Sequence, residues 1–369
     1  MDPIPNAAGT KAAQSPPAAP QPSGVEPTAL EAASAAPPAT QPAAPTGWVV
    51  SRWRKSLVQS LGVGLCYAIV LVFFSVKLDN FVTTANVETI LDGATLLGIV
   101  AVGQTFLIVG GGFDLSVGGV VPLGAVVFGT TVGRLGLVPA MLVTVVVGAG
   151  VGLVTGLIVV YGKINPLITT LGMLSIAGGA AYIVVNGQTN ELTSPAAGFW
   201  GNSAPLGLQT GTWAFIGLAI VGGLFLKFSV YGRSVYTIGG NREAAELAGL
   251  RVNAIAISTY VLTAACAAFG GAIAASQLLA SAPDIGTDTT LNSIAAVVLG
   301  GAALTGGVGG MSGTILGVLL LGTISDGLAL LQVASFYQTV ITGAVLLVAV
   351  GFSRARDVLG LSSFVRRRI

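Results

Sequence analysis

An all-α polytopic membrane protein is the fold class that this sequence predicts, and three observations predict it. Only 8% of the 369 residues are charged and 53% are hydrophobic, whereas a soluble domain carries about a quarter charged residues. The mean hydropathy is +0.87. The apolar residues fall in runs close to the roughly 20 residues that a helix needs to cross a bilayer. In lipid such runs satisfy their own backbone as helices, not as a barrel. They predict about ten transmembrane helices, with broken or short helices near 110–118 and 291–310.

Taken in order, the first element is not membranous. Residues 1–47 hold 11 of the 17 prolines and no periodic apolar face, so they read as a disordered, Ala/Pro-rich cytoplasmic tail. No apolar stretch follows a basic start, as a secretory signal would require. A transmembrane domain is expected over 48–356 and a basic cytoplasmic C-terminus over 357–369. Run 57–77 follows the basic "SRWRK", and run 87–109 ends at a glycine triplet. Run 115–132 is short and glycine-bounded; runs 138–160 and 166–185 flank a turn carrying Lys163. Run 212–228 ends at Lys227 and leads into a basic loop, after which come 254–279, the short 291–304, 311–331 and 336–352.

Charge orients these runs. With the N-terminus in the cytoplasm, ten spans return the C-terminus there and leave 14 of the 16 Lys and Arg residues inside, a strong positive-inside bias. Only Lys77 and Arg134 fall outside, where Asp79, Glu88, Asp92, Glu191, Asp284, Asp288 and Asp326 collect. Trp48, Trp53, Trp200 and Trp213 sit near the expected membrane–water boundaries, as amphipathic rings prefer. Cys66 and Cys266 lie in different runs without disulfide or metal spacing, and read as small buried apolar residues. With no histidine, the commonest base and metal ligand is missing, so neither catalysis nor a metal site is expected.

Interruptions are informative because lipid offers polar groups no partner. In "GGGFDLSVGG" the glycines at 110–112 release a helix and Asp114 stands before the next apolar run. A carboxylate at mid-bilayer costs roughly 2.5–3.5 kcal/mol on insertion scales. One reading makes Asp114, helped by Ser116, an acceptor for freed N–H groups at the start of a new helix. The other has a half-helix lining a solute path, with Asp114 or Gln104 meeting a polar solute; the two are compatible. A second interruption, "VVLGGAALTGGVGGMSGTILG" over 297–317, resembles 100–124 and hints at an internal repeat. Its glycines make no nucleotide loop, since Ser312 stands where GxGxxG needs its third glycine. Gly313 and Gly317, like Gly152 and Gly156, fit small-residue helix packing. Asn165, Thr169, Thr170, Gln277, Asn292 and Ser293 are further path candidates or helix-to-helix bonds.

The loop "YGRSVYTIGGNREAAELAGLRVN", residues 231–253, gathers Arg233, Arg242, Glu243, Glu246 and Arg251. After a turn at Gly239-Gly240, Asn241 is placed to cap a short helix through Ala248, ended by Gly249. So specific a build suits docking of a cytoplasmic partner better than a plain connector.

"GGFDLSVGGVV", "YGRSVYTIGGNREAAELAGLRV" and "NSIAAVVLGGAALTGGVGGMSGTILGVLLLG" together resemble the permease subunit of bacterial ribose-type ABC importers, within a superfamily that includes branched-chain amino-acid permeases. The resemblance covers about residues 57–353. Phe113 and Gly119 depart from the commoner family residues, Ile before the Asp and Ser after the second glycine. The resemblance implies a non-enzymatic transport subunit in the bacterial inner membrane that moves a monosaccharide or related polyol inward. Its implied partners are a cytoplasmic ABC ATPase that holds ATP and Mg, a periplasmic sugar-binding protein, a second permease chain and lipid, with no nucleic acid. This chain itself would hold no cofactor. Arg233, Gly239, Gly240, Asn241, Arg242, Glu243, Ala244, Ala245, Glu246, Leu247 and Gly249 would form the ATPase-coupling loop. An ion-coupled secondary sugar transporter and a permease for a branched-chain amino acid are the alternatives.

Overall fold

The computed structural model describes residues 63–334, 336–341 and 343–344. The Ala/Pro-rich tail, the basic C-terminus, Trp48, Trp53 and most of run 336–352 lie outside the described residues. Among those described, the chain is all-α apart from one two-residue strand pair.

Helix α1 covers Val63–Lys77, and its Cys66 is exposed. Run 87–109 forms two helices, α2 (Thr84–Gly93) and α3 (Thr95–Val109), bent by 48° at the joint. The bend follows Asp92, whose carboxylate is engaged from another helix by Thr212 and by the Gln209 N–H. Four long helices come next: α4 (Val117–Leu135), α5 (Leu137–Val160), α6 (Pro166–Val184) and, after an irregular segment, α8 (Thr210–Phe228). That segment holds strand β1 (Asn190–Glu191) and the single-turn α7 (Phe199–Asn202). Beyond α8 lie α9 (Val230–Gly240), α10 (Arg242–Leu247), α11 (Val252–Leu278), β2 (Ala280–Ser281), α12 (Thr289–Leu299) and α13 (Met311–Leu330).

Six helices, α4, α5, α6, α8, α11 and α13, are long and apolar enough to cross a membrane, and α2 with α3 adds a seventh as one bent span. Run 115–132, short in the sequence, extends to Leu135 as α4, whereas run 291–304 is helical only to Leu299, the end of the 11-residue α12. At 1.5 Å per residue, that helix covers about half of a bilayer core. It stops because Gly301, at φ +92°, turns the chain into a left-handed cap, with its N–H on Val298 O and the Ala302 N–H on Val297 O. Helix α3 ends in the same way, with Gly111 at φ +80° bonded to Ile108 O and Gly112 to Leu107 O. The two interruptions predicted from the glycines are therefore present, and both follow an identically capped helix.

Small residues set the packing. Helix α11 is central and lies against α3, α4 and α5. A Cβ on Gly152 would stand 2.5 Å from Tyr260 O, and one on Gly271 would stand 2.0 Å from Val121 O. Gly313 and Gly317 admit α12 as closely, with Gly300 O and Ala296 O at 1.9 and 2.0 Å from the missing Cβ positions. Such approaches maximise dispersion contact where no hydrophobic force separates protein from lipid.

Helix ends segregate into two groups. At one end of the bundle β1 pairs antiparallel with β2, Gln277 Nε2 donates to Gln209 Oε1 at 2.7 Å, and Asn86 Nδ2 donates to Asp326 Oδ2 at 3.0 Å. At the other end, the breaks after α3 and α12 meet the end of α9.

Candidate functional site

The first break, residues 110–116, must satisfy the backbone carbonyls that leave the helical ladder. It does so with side chains from three other helices' worth of sequence. Tyr260 of α11 donates its hydroxyl to Phe113 O at 3.4 Å, Gln104 of α3 donates Nε2 to Asp114 O at 2.8 Å, and Thr290 of α12 donates to Leu115 O at 3.4 Å. Three consecutive carbonyls are thus held by three helices. The Asp114 carboxylate faces the next helix, with Oδ1 accepting the Ser116 N–H at 2.7 Å.

This geometry refines the sequence reading of Asp114. The residue before α4 is Ser116, in a helical conformation and without a side-chain cap bond, so Asp114 pins the turn from two residues upstream. Gln104, Asp114 and Ser116 are all fully buried. Gln104 Oε1 and Asp114 Oδ2 have no hydrogen-bond partner among the described residues. The Ser116 hydroxyl likewise has no hydrogen-bond partner among the described residues. The centre is therefore sealed yet has spare acceptor capacity.

The remaining path candidates are scattered. Asn165 is exposed and caps α6 by accepting the Leu167 N–H at 2.8 Å. Thr169 and Thr170 are buried on α6, with Thr170 bonded weakly to Leu167 O at 3.4 Å. Asn292 reaches Asp288 Oδ2 at 3.4 Å, and Ser293 donates to Thr290 O at 3.0 Å. Gln277 belongs to the opposite end of the bundle, bridging Gln209 and Asp92. Only Gln104, Asp114 and Ser116 converge, with Ser293 linked through Thr290.

Sequence reading missed Tyr260 and Thr290. Neither stands out inside an apolar run; the one available signal was that a break in lipid leaves carbonyls needing donors.

The basic loop is more ordered than its composition implies. Gly239 and Gly240 are not a turn but the last residues of α9, whose first turn is capped by Ser229 accepting the Gly232 N–H at 2.9 Å. Glycine is needed at 239 because a Cβ there would stand 2.0 Å from Val109 O. Asn241 then caps α10, accepting the Ala244 N–H at 3.0 Å, and Gly249 closes it at φ +78°. Ala245 is buried against Ile238 and Val252, which anchors the helix from below. Arg242, Glu243, Ala244, Glu246 and Leu247 face outward, with Leu247 90% exposed. Arg242 is braced by Glu246 at 3.4 Å and Asn253 Oδ1 at 2.8 Å, and Arg233 donates to Phe228 O at 3.1 Å. A cleft of about 580 Å³ separates α10 from the α5–α6 turn, lined by Lys163, Asn165, Arg242, Glu246 and Asn253. The result is a short, capped helix that presents an apolar tip between charges.

Comparison with known proteins agrees with this architecture. The family model described as "Branched-chain amino acid transport system / permease component" matches residues 86–350. The L-arabinose ABC transporter permease protein AraH of Azospirillum brasilense is 35% identical over 301 residues, 81% of this chain and 89% of that protein. The ribose import permease protein RbsC of Escherichia coli (strain K12) is 35% identical over 302 residues, 80% of this chain and 92% of its own length. The RbsC of Bacillus subtilis (strain 168) is 35% identical over 304 residues, covering 82% and 94% respectively. No solved structure matches the chain significantly.

Proposed function

The chain belongs to the branched-chain amino acid transport system / permease component family, and from that premise we propose that it is the membrane-spanning subunit of an ATP-driven importer for a monosaccharide. The relatives named for ribose and L-arabinose support a sugar over an amino acid, within a family model whose description mentions only the latter. ATP and Mg belong to a separate ABC ATPase subunit, a periplasmic binding protein delivers the sugar, and two permease chains pair in the bacterial inner membrane. This chain transports and does not hydrolyse.

The observation that carries the reading is α10, an exposed helix capped by Asn241 and tipped by Leu247, joined through Asn241 to α9, whose Gly239 meets the end of α3. Transport follows if nucleotide and loaded binding protein favour different states of the bundle, since a ligand shifts an equilibrium only by its differential affinity. The sugar path is poor in charge, and Gln104, Asp114 and Ser116 meet it only when the sealed break opens. Capture by the binding protein relieves the path of any need to bind tightly.

Ten crossings with both termini cytoplasmic complete the proposal, counting α1, α2 with α3, α12 and run 336–352. The end of the bundle bearing α10, Lys163 and both breaks is then cytoplasmic, and the β1–β2 end periplasmic. The alternative of ion coupling requires a mid-membrane relay. Here Asp114 already serves its turn through Ser116.

The test is uptake of radiolabelled ribose and L-arabinose by cells carrying or lacking the partner ATPase. Uptake is expected to vanish without it, and undiminished uptake refutes the proposal. Glu243→Arg on α10 is expected to leave membrane insertion intact while separating ATP hydrolysis from uptake.

A further inference from the structure

Three glycine-rich segments, far apart in the chain, meet at one point. The Gly307 N–H donates to Val109 O at 2.8 Å, joining the break after α12 to the end of α3. The Tyr236 hydroxyl of α9 donates to Gly309 O at 2.8 Å. A Cβ on Gly239 would stand 2.6 Å from the Gly307 nitrogen, and one on Gly306 would stand 2.7 Å from Gly111 Cα and 2.8 Å from Gly239 O. One on Gly307 would stand 2.8 Å from Gly240 Cα. Gly111, Gly306 and Gly307 hold φ values of +80°, +84° and +73°, which side-chain-bearing residues adopt only at a cost.

We propose that this backbone-to-backbone junction transmits displacement of α10 to both broken segments at once, with Tyr236 and Gly306 as its positioning residues. The inference rests on reading α10 as the contact with an ATPase. Helices α9 and α10 are separated only by Asn241, and buried Ala245 packs on Ile238 of α9. A push on α10 therefore arrives at Gly239 and Gly240. There it meets main chain, and no side-chain rotamers are interposed to absorb the movement; close-packed contacts of this kind transmit strain. Gly239 touches Val109 and Gly307 together, so the two breaks move as one body. The Tyr236 bond to Gly309 is a second tie, from the same helix to the far side of the second break.

The test uses the full complex with its ATPase, in a chain carrying Cys66→Ser and Cys266→Ala and spin labels on Leu304→Cys and Leu206→Cys. These two sites are exposed, one in the second break and one in the segment between α7 and α8. ATP is expected to shift the distance between them. Tyr236→Phe, which removes one hydroxyl, is expected to lower the ratio of shifted to unshifted molecules about fivefold, the factor carried by one neutral hydrogen bond. Gly306→Ala is expected to abolish the shift while the complex still assembles and hydrolyses ATP. A shift of normal size in Tyr236→Phe overturns the proposal even if Gly306→Ala fails to fold, as does a shift that is absent from the unsubstituted junction. If the ATPase does not bind the unsubstituted chain at all, it is the assignment of α10 that falls.

Discussion

At the scale of single residues, Asp114 resolves the tension between a carboxylate and an apolar setting. Its Oδ1 accepts an N–H that lipid would leave orphaned, so the side chain completes the backbone. Asp114→Ala is expected to cost about 1–3 kcal/mol, the usual penalty for stranding a buried donor. Asp114→Asn keeps an acceptor oxygen and is expected to cost less than half as much; thermal unfolding in detergent measures both. Equal losses in the two variants would show that charge, not acceptance, is what the site uses. The position of Asp114 between glycines was legible in the sequence, and so was its role as acceptor. Tyr260, Thr290 and Tyr236 were not, because their partners are carbonyls, which carry no residue identity.

At the scale of elements, glycine has two distinct uses that composition merges. Gly313 faces Gly300, the C-cap of α12, and Gly317 faces Ala296 within it, with no room for a methyl group, while Gly150 of α5 has nothing within 4 Å of its missing Cβ. Gly313→Ala is expected to destabilise by about 1–3 kcal/mol through overpacking. Gly150→Ala is expected to be neutral or to stabilise by up to about 1 kcal/mol through helix propensity. Melting temperatures of the two variants decide the matter. The packing role of Gly152, Gly156, Gly313 and Gly317 could be read from their four-residue spacing. That Gly239 and Gly240 finish a helix could not, because a Gly-Gly pair signals a turn locally, and only the approach of Val109 explains it here. The capping of α10 by Asn241 was readable because every partner lies within four residues.

At the scale of the whole molecule, the two ends of the bundle carry different chemistry. One end joins Asp92, Gln209, Thr212 and Gln277 in a polar network; the other gathers glycine breaks and basic residues. The grouping is the one that the proposed topology requires, although periodicity alone overestimates α12, whose apolar run is cut by its own cap. In a chain carrying Cys66→Ser and Cys266→Ala, single cysteines at Lys163→Cys and Glu243→Cys are expected to react with an impermeant maleimide only after permeabilisation. Gln188→Cys and Leu206→Cys are expected to react in intact cells. All four positions are exposed, so labelling reports the side of the membrane and not burial. Reversal of the pattern would invert the proposed orientation and detach α10 from any cytoplasmic ATPase.

Helix α4 has a consequence for how the chain is made. It has the lowest hydropathy of the six long helices, two-thirds of it is buried by neighbouring protein, and it contains Pro122. Its glycine faces close against α11, where Gly124 meets Ala268 and Gly271 meets Val121. More than a hundred residues separate Leu135 from Val252, so a ribosome working at about 5–20 residues per second leaves α4 without that partner for roughly 6–25 s. Helices α5 and α6, which emerge directly behind it and pack on it, are its early shelter. Translation that stalls before α5 would therefore leave the Asp114 segment the first part of the protein to slip back out of the bilayer.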